Sequence, residues 1–247
     1  MAEFDDRILR SRADVGSADV DQGLRSYMLG IYNYMALGVA LTGIVAYFTS
    51  TSPAMLQLIY GTPLKWAMFL APLAFILVMN MGLQRLSAGS LQAIFWAFAA
   101  VMGLSMAAIF VVYTGESIAR VFFITTASFA ALSLYGYTTK RDLGPWRTFL
   151  MMGVFGVFFG MIFNYLVPGI TGWYEPSTAF GFALSVIAVL VFAGLTAWDT
   201  QNLKNQYYEV VGNNELMAKV TILGATSLYI NFVVMFSHLL SLLGDRE

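Results

Sequence analysis

Polar and apolar positions alternate along this chain in long blocks rather than with a period of two or of 3.6. Seven apolar runs follow one another: about 27–49, 65–84, 91–113, 118–137, 146–167, 178–198 and 219–243. Each has the roughly 20 residues that a helix needs to cross a bilayer. Short polar stretches separate them, so no separate soluble domain fits. The pattern predicts an all-α integral membrane protein: a polar tail over 1–26 and a seven-helix membrane domain over 27–247. The tail carries Glu3, Asp5, Asp6, Arg7, Arg10 and Arg12 and lacks the short basic segment of a cleaved signal peptide. It reads as a solvated stretch, partly disordered.

Composition agrees with the blocks. The chain is 59% hydrophobic and 11% charged, against roughly 25% charged residues in soluble domains. Its lipid partner is therefore the bilayer itself. No basic patch marks a nucleic-acid surface. The absence of cysteine removes disulfides, thiolate metal sites and cysteine nucleophiles.

Charge sets the expected orientation. The tail and the loops after the second, fourth and sixth runs hold ten of the 13 lysines and arginines; Lys65, Arg120 and Arg246 lie on the other side. The positive-inside rule then predicts a multi-pass protein with a cytoplasmic N-terminus and an external C-terminus. A re-entrant seventh segment would return the C-terminus inside; the length of Val220–Leu243 favours a full span.

Small and polar residues inside the runs carry the remaining signal. Gly153, Gly156 and Gly160 form a small-residue side on the fifth run, with Gly156 and Gly160 in GxxxG spacing. In the seventh run Gly224, Ser227, Asn231, His238 and Ser241 fall within an arc of about 100° on an ideal helix. In the sixth, Gly181, Ser185, Thr196 and Asp199 fall within about 60°. A polar stripe in lipid must face protein or water. As interhelical glue each group contributes about 1 kcal/mol or less. Two stripes on consecutive helices favour a lined pathway, whereas the lone Asn33, Asn80 and Asn164 favour glue.

Asp199 stands out, because it directly follows the apolar stretch Phe180–Ala197. A carboxylate at the edge of hydrocarbon is costly to ionise and is a default candidate for function. It can also report pH, since burial and nearby charge move a carboxyl titration in opposite directions. His238 is the only histidine. A lone histidine makes neither a metal cluster nor a catalytic triad. The sequence is read as that of a non-enzyme without a cofactor. A retinal pigment is excluded as well: the last run has Lys219 only at its start, and no acid lies within runs one to five.

The stretch Tyr113-Thr114-Gly115-Glu116-Ser117-Ile118, the block Ala131–Leu143, the string Ala197-Trp198-Asp199-Thr200-Gln201 and the ending Ser227–Phe232 to Leu242-Leu243-Gly244 together resemble the Bax-inhibitor-1 (TMBIM) family and its bacterial branch. The resemblance implies seven helices with the last one central. It implies a pH-sensitive calcium leak in which aspartates on the last two helices share protons. Asp199 matches the first of that pair, as sensor and candidate metal ligand; Asn231 stands where the second is expected. It further implies an arginine latch on the same side, matched by Arg85 in Gly82-Leu83-Gln84-Arg85. Ser185, Thr196, Ser227 and His238 are then candidates to line the pathway, with calcium as the permeant ion and a gate near the cytoplasmic ends of the second and sixth helices. The alternative is a non-conducting regulatory protein that binds a membrane protease or another membrane partner. One geometric expectation cuts across the pair: Asn231 lies roughly 18 Å beyond Lys219 along a helix, which puts it deeper than Asp199.

Overall fold

The computed structural model describes the backbone of residues 2–82, 85–168 and 177–246, with side chains from Gln22 on for most of them. Helix α1 runs Ala2–Ser50, the short α2 Pro53–Tyr60 and α3 Leu64–Gly82. Then come α4 at Ala88–Met106, the single turn α5 at Ile109–Val112, α6 at Gly115–Thr138 and α7 at Trp146–Met161. A π-helical turn, Ile162–Leu166, extends α7; α8 spans Thr178–Val210 and α9 Asn214–Leu243. Seven of these stretches are long and apolar enough to cross a membrane. The polar stretch expected as an irregular tail is helical in its backbone from Ala2, and the apolar part of α1 begins near Gln22.

The last helix is the core. Of the most apolar window of α9, 61% is buried inside the protein, against at most 39% for any other span. Its main neighbours are α1, α4, α6 and α8. Helix α3 packs chiefly on α4, and α7 on α8. Tyr229 shows why α9 sits there. Its ring is fully buried against Phe95 and Phe98 of α4, and its hydroxyl bonds Thr42 of α1 at 2.6 Å. Thr42 in turn donates to backbone carbonyls, so the buried hydroxyls are satisfied.

Small residues set the closest helix approaches, though not at the spacing the GxxxG string suggested. A Cβ at Gly153 would strike Val191, and one at Gly160 would strike Leu184, both on α8. Gly156 has open space instead. Two heptad-spaced glycines face α8, and the one between them points away, because i and i+7 share a helix face more closely than i and i+4 do.

Helix α9 is 30 residues long and apolar enough for a full span. Its start is the turn at Gly212 (φ 94), where Asn213 caps the helix by accepting from the Leu216 N–H. Its far end is pinned beside the start of α6. There Thr114 N–H donates to the Asp245 carbonyl at 3.1 Å, Asp245 N–H donates to Ser117 Oγ at 2.9 Å, and Arg120 pairs with Asp245 at 2.9 Å. The 211–213 turn and the 139–145 turn share one face of the bundle, here called the basic face. Charge bias predicts that this face is cytoplasmic. A reporter active only outside the cytoplasm, fused to the C-terminus, is expected to give signal; fused ahead of Phe4 it is expected to stay silent. The reverse pattern overturns the orientation.

Candidate functional site

The sixth span does not end where its hydrophobicity ends. Helix α8 continues from Trp198 to Val210 through the polar sequence Gln201-Asn202-Leu203-Lys204-Asn205-Gln206-Tyr207-Tyr208-Glu209. No proline or glycine interrupts it before Gly212. Leu203, Tyr207 and Val210 are buried and recur at helical spacing, so this stretch has its own packed face. Asp199 is therefore inside α8, about 16 Å short of its end, rather than at a helix terminus. The same extension pushes the turn outward and brings Asp199 level with Asn231. The expected difference in depth disappears for that reason.

The two residues touch. Asn231 Nδ2 donates to Asp199 Oδ2 at 2.6 Å, and Ser227 Oγ donates to the same oxygen at 3.0 Å. Ser227 and Asn231 lie one turn apart on α9, so the central helix presents two donors to one carboxylate oxygen. An ionised carboxylate only accepts, and an amide NH₂ and a hydroxyl both donate, so the set is chemically matched. The 2.6 Å contact is in the range of a charge-assisted bond. Asp199 is 8% exposed and Asn231 3%.

Flanking residues fix the α8 backbone around this carboxylate. Tyr32 of α1 bonds Ser133 of α6, and Ser133 bonds Thr200 of α8 at 2.9 Å. Thr200 in turn donates to the Thr196 carbonyl. Proton counting gives the chain one direction: Tyr32 donates to Ser133, which donates to Thr200. The Thr196 hydroxyl donates to the Phe192 carbonyl of its own helix. Gln201 clamps the 139–145 turn, accepting from the Leu143 N–H and donating to the Arg141 carbonyl, both at 2.8 Å. Lys204 donates to the Tyr137 carbonyl at the end of α6.

The polar stripes of α8 and α9 thus meet each other. Further along, Ser185 Oγ and His238 Nδ1 lie 3.1 Å apart, both buried. Ser185 donates to the Gly181 carbonyl, so the histidine nitrogen takes the donor role. Apolar Ala188, Phe192, Leu195 and Phe232 fill the space between this pair and Asp199 along the two helices. Of the lone asparagines, Asn80 bonds its own helix at Ile76, and Asn164 ties the π-helical turn to the backbone of Ser177.

Arg85 is not brought to this centre. It lies exposed in the turn between α3 and α4 and forms no ion pair among the described residues. Arg147, near the start of α7, is instead placed beside the chain neighbour of Asp199: its guanidinium lies 5.3 Å from the ring centre of Trp198. Arg147 registers in the sequence only as one more basic loop residue. Its signal is indirect: Gln201 holds the turn that precedes α7, so the two motif blocks around 131–143 and 197–201 are two halves of one contact.

The chain matches the model of the family "Inhibitor of apoptosis-promoting Bax1" over residues 24–247. It is 41% identical to a protein of Caulobacter vibrioides over 100% of both chains. It is 40% identical to a protein of Rickettsia prowazekii over 92% of each chain. Inner membrane protein YbhL of Escherichia coli K12 is 38% identical over 91% of this chain and 94% of its own.

Proposed function

The chain belongs to the Bax inhibitor-1 family, and from that premise we propose that it is a pH-sensitive cation leak of the bacterial inner membrane, with calcium as the permeant ion. The observation that carries the reading is the Asp199 carboxylate: buried, met by two neutral donors of the central helix, and without an ion-pair partner among the described residues. The Escherichia coli relative, inner membrane protein YbhL, supports the inner membrane as the location.

A buried carboxylate without a cation is expensive, and neutral hydrogen bonds offset only part of that cost. Two events relieve it. A proton neutralises the charge and weakens the bonds from Asn231 and Ser227, which loosens α8 from α9. A cation supplies the missing positive charge. Rotation of the Asn231 amide by half a turn replaces its NH₂ with its carbonyl oxygen. Asp199, Asn231 and Ser227 then offer three hard oxygens. Calcium takes 6–8, so water fills the rest, and the weak site suits passage rather than storage. Ser185 and His238 extend the same interface toward the opposite face.

The mutual satisfaction of the two stripes favours a second reading, in which they are glue and the protein is a non-conducting regulator of a membrane partner. Calcium flux into liposomes holding the purified chain separates the two. The leak reading expects flux that varies with pH and loses that variation in Asp199→Asn; no flux at any pH supports the regulator. The same assay compares two candidate cations. Arg147→Gln is expected to raise the leak at neutral pH several-fold and Arg85→Ala to change it little. The opposite ranking restores Arg85 as the latch.

A further inference from the structure

On the basic face, α6, α7 and α8 enclose a crevice of about 410 Å³, within the roughly 300–1,000 Å³ of small-ligand sites. Leu132, Leu150, Ala193 and Gly194 form its inner wall. Its rim is built from Tyr135, Trp146, Phe149 and Leu190, all exposed, so the crevice opens sideways to the bilayer rather than into the protein.

Its mouth is charged. Lys140, Arg141 and Arg147 crowd the turn between α6 and α7, and all three are exposed. Only Asp142 opposes them there, and its carboxylate already accepts from the Gly144 N–H. The ion pairs among the described residues, Arg120–Asp245 and Glu215–Lys219, lie elsewhere. Arg141 lines the mouth, and Arg147 lies over Trp198, which also lines it. Tyr135, Trp146 and Trp198 line the crevice, and such amphipathic rings favour the headgroup level of a bilayer. A second lateral groove, of about 350 Å³ between α1 and α6, provides an internal contrast: its lining includes Gly43, Gly115 and Phe232 and no charged residue.

We infer that the crevice between α6, α7 and α8 binds one anionic phospholipid, with an acyl chain against Leu132, Leu150 and Ala193 and the phosphate on Arg141 and Arg147. Charge complementarity selects this occupant. Apolar walls accept any acyl chain, whereas Arg141 in the lining and Arg147 over the lining Trp198, neither in an ion pair among the described residues, favour a negative headgroup, as in other basic pockets between membrane helices. The inference is independent of whether the protein conducts ions.

Native mass spectrometry of the detergent-purified full chain tests it. The protein is incubated with equal amounts of phosphatidylglycerol and phosphatidylcholine carrying the same acyl chains. Phosphatidylglycerol is expected to be retained preferentially, by about five-fold for each contacting arginine at about 1 kcal/mol each. Arg141→Gln with Arg147→Gln is expected to bring the ratio near one. Arg141→Gln alone leaves Arg147 on Trp198 and should remove part of the preference. Ala193→Phe fills the wall without touching the charges and should lower retention of both lipids. Lys65→Gln, a charge removed on the opposite face, should change nothing. Excess inorganic phosphate should leave the lipid bound. Equal retention of the two lipids by the native chain, an unchanged preference in the double variant, or displacement by inorganic phosphate each overturns the inference.

Discussion

Replacing Asn231 with Asp is expected to split the pH dependence of calcium flux into two steps, where the native chain shows one. The native contact joins an amide to a carboxylate at 2.6 Å. The variant puts a second carboxylate in that place, buried to the same extent. Two acids in contact cannot both ionise cheaply, so they hold one proton between them over a wide pH range. Their titrations then separate by more than about one pH unit. The extra acid also supplies charge and a further oxygen, so calcium should compete more strongly with protons for the site. Flux against pH in liposomes, with and without excess external calcium, reads both effects. Asp199→Asn is the control: it should abolish the pH response in the native background and leave a single step in the Asn231→Asp background. An unchanged profile in Asn231→Asp would show that the α8–α9 contact is packing and that the sensor lies elsewhere.

The largest effect on stability is expected at Gly136. There α6 passes so close to α8 that a Cβ would lie 2.2 Å from the Ala197 carbonyl oxygen and 2.9 Å from its carbon. Both are backbone atoms in mid-helix and cannot step aside as a side-chain tip can. Overpacking of this kind costs roughly 1–3 kcal/mol, and a backbone obstacle puts Gly136→Ala at the upper end. The intrinsic helical preference for alanine, about 1 kcal/mol, offsets only part. The displaced helix also carries the Ser133–Thr200 and Gln201 contacts that hold Asp199's backbone, so flux should change with stability. Gly156→Ala is the matched comparison, because its Cβ meets nothing within 4 Å. It should be neutral or stabilising. Thermal unfolding in detergent measures both, and a Gly136→Ala protein as stable as its parent would contradict the close approach.

The seven spans were legible from run length, and the pairing of Asp199 with Asn231 from the family resemblance that the motif blocks carry, although helix rise alone put Asn231 deeper. The end of α8 was not legible. Hydropathy reports where a helix leaves the lipid and says nothing about where it stops, and the buried face of Leu203, Tyr207 and Val210 is too sparse to stand out among polar neighbours. Arg147 was missed for a related reason. Its relation to Asp199 passes through Trp198 and through a turn held by Gln201, and such a contact between residues far apart in sequence leaves no periodicity. The glycines of α7 were recognised as packing residues, but their spacing alone did not tell which of three faces the neighbour.

The burial of α9 has a consequence for biogenesis. The helix at the centre is made after the six spans that surround it. Every earlier span must be inserted while its partner is still absent, so Asp199 waits without Asn231 and Ser227, Ser185 without His238, and Thr42 without Tyr229. The nascent bundle is thus a ring of helices around an unfilled axis, with its polar groups turned toward a space that only the C-terminal segment can occupy. Folding by domains from the N-terminus, the usual order during synthesis, is closed to it. A chain cut short before Ser227 is expected to lack both donors to the Asp199 carboxylate and to fail to close the bundle.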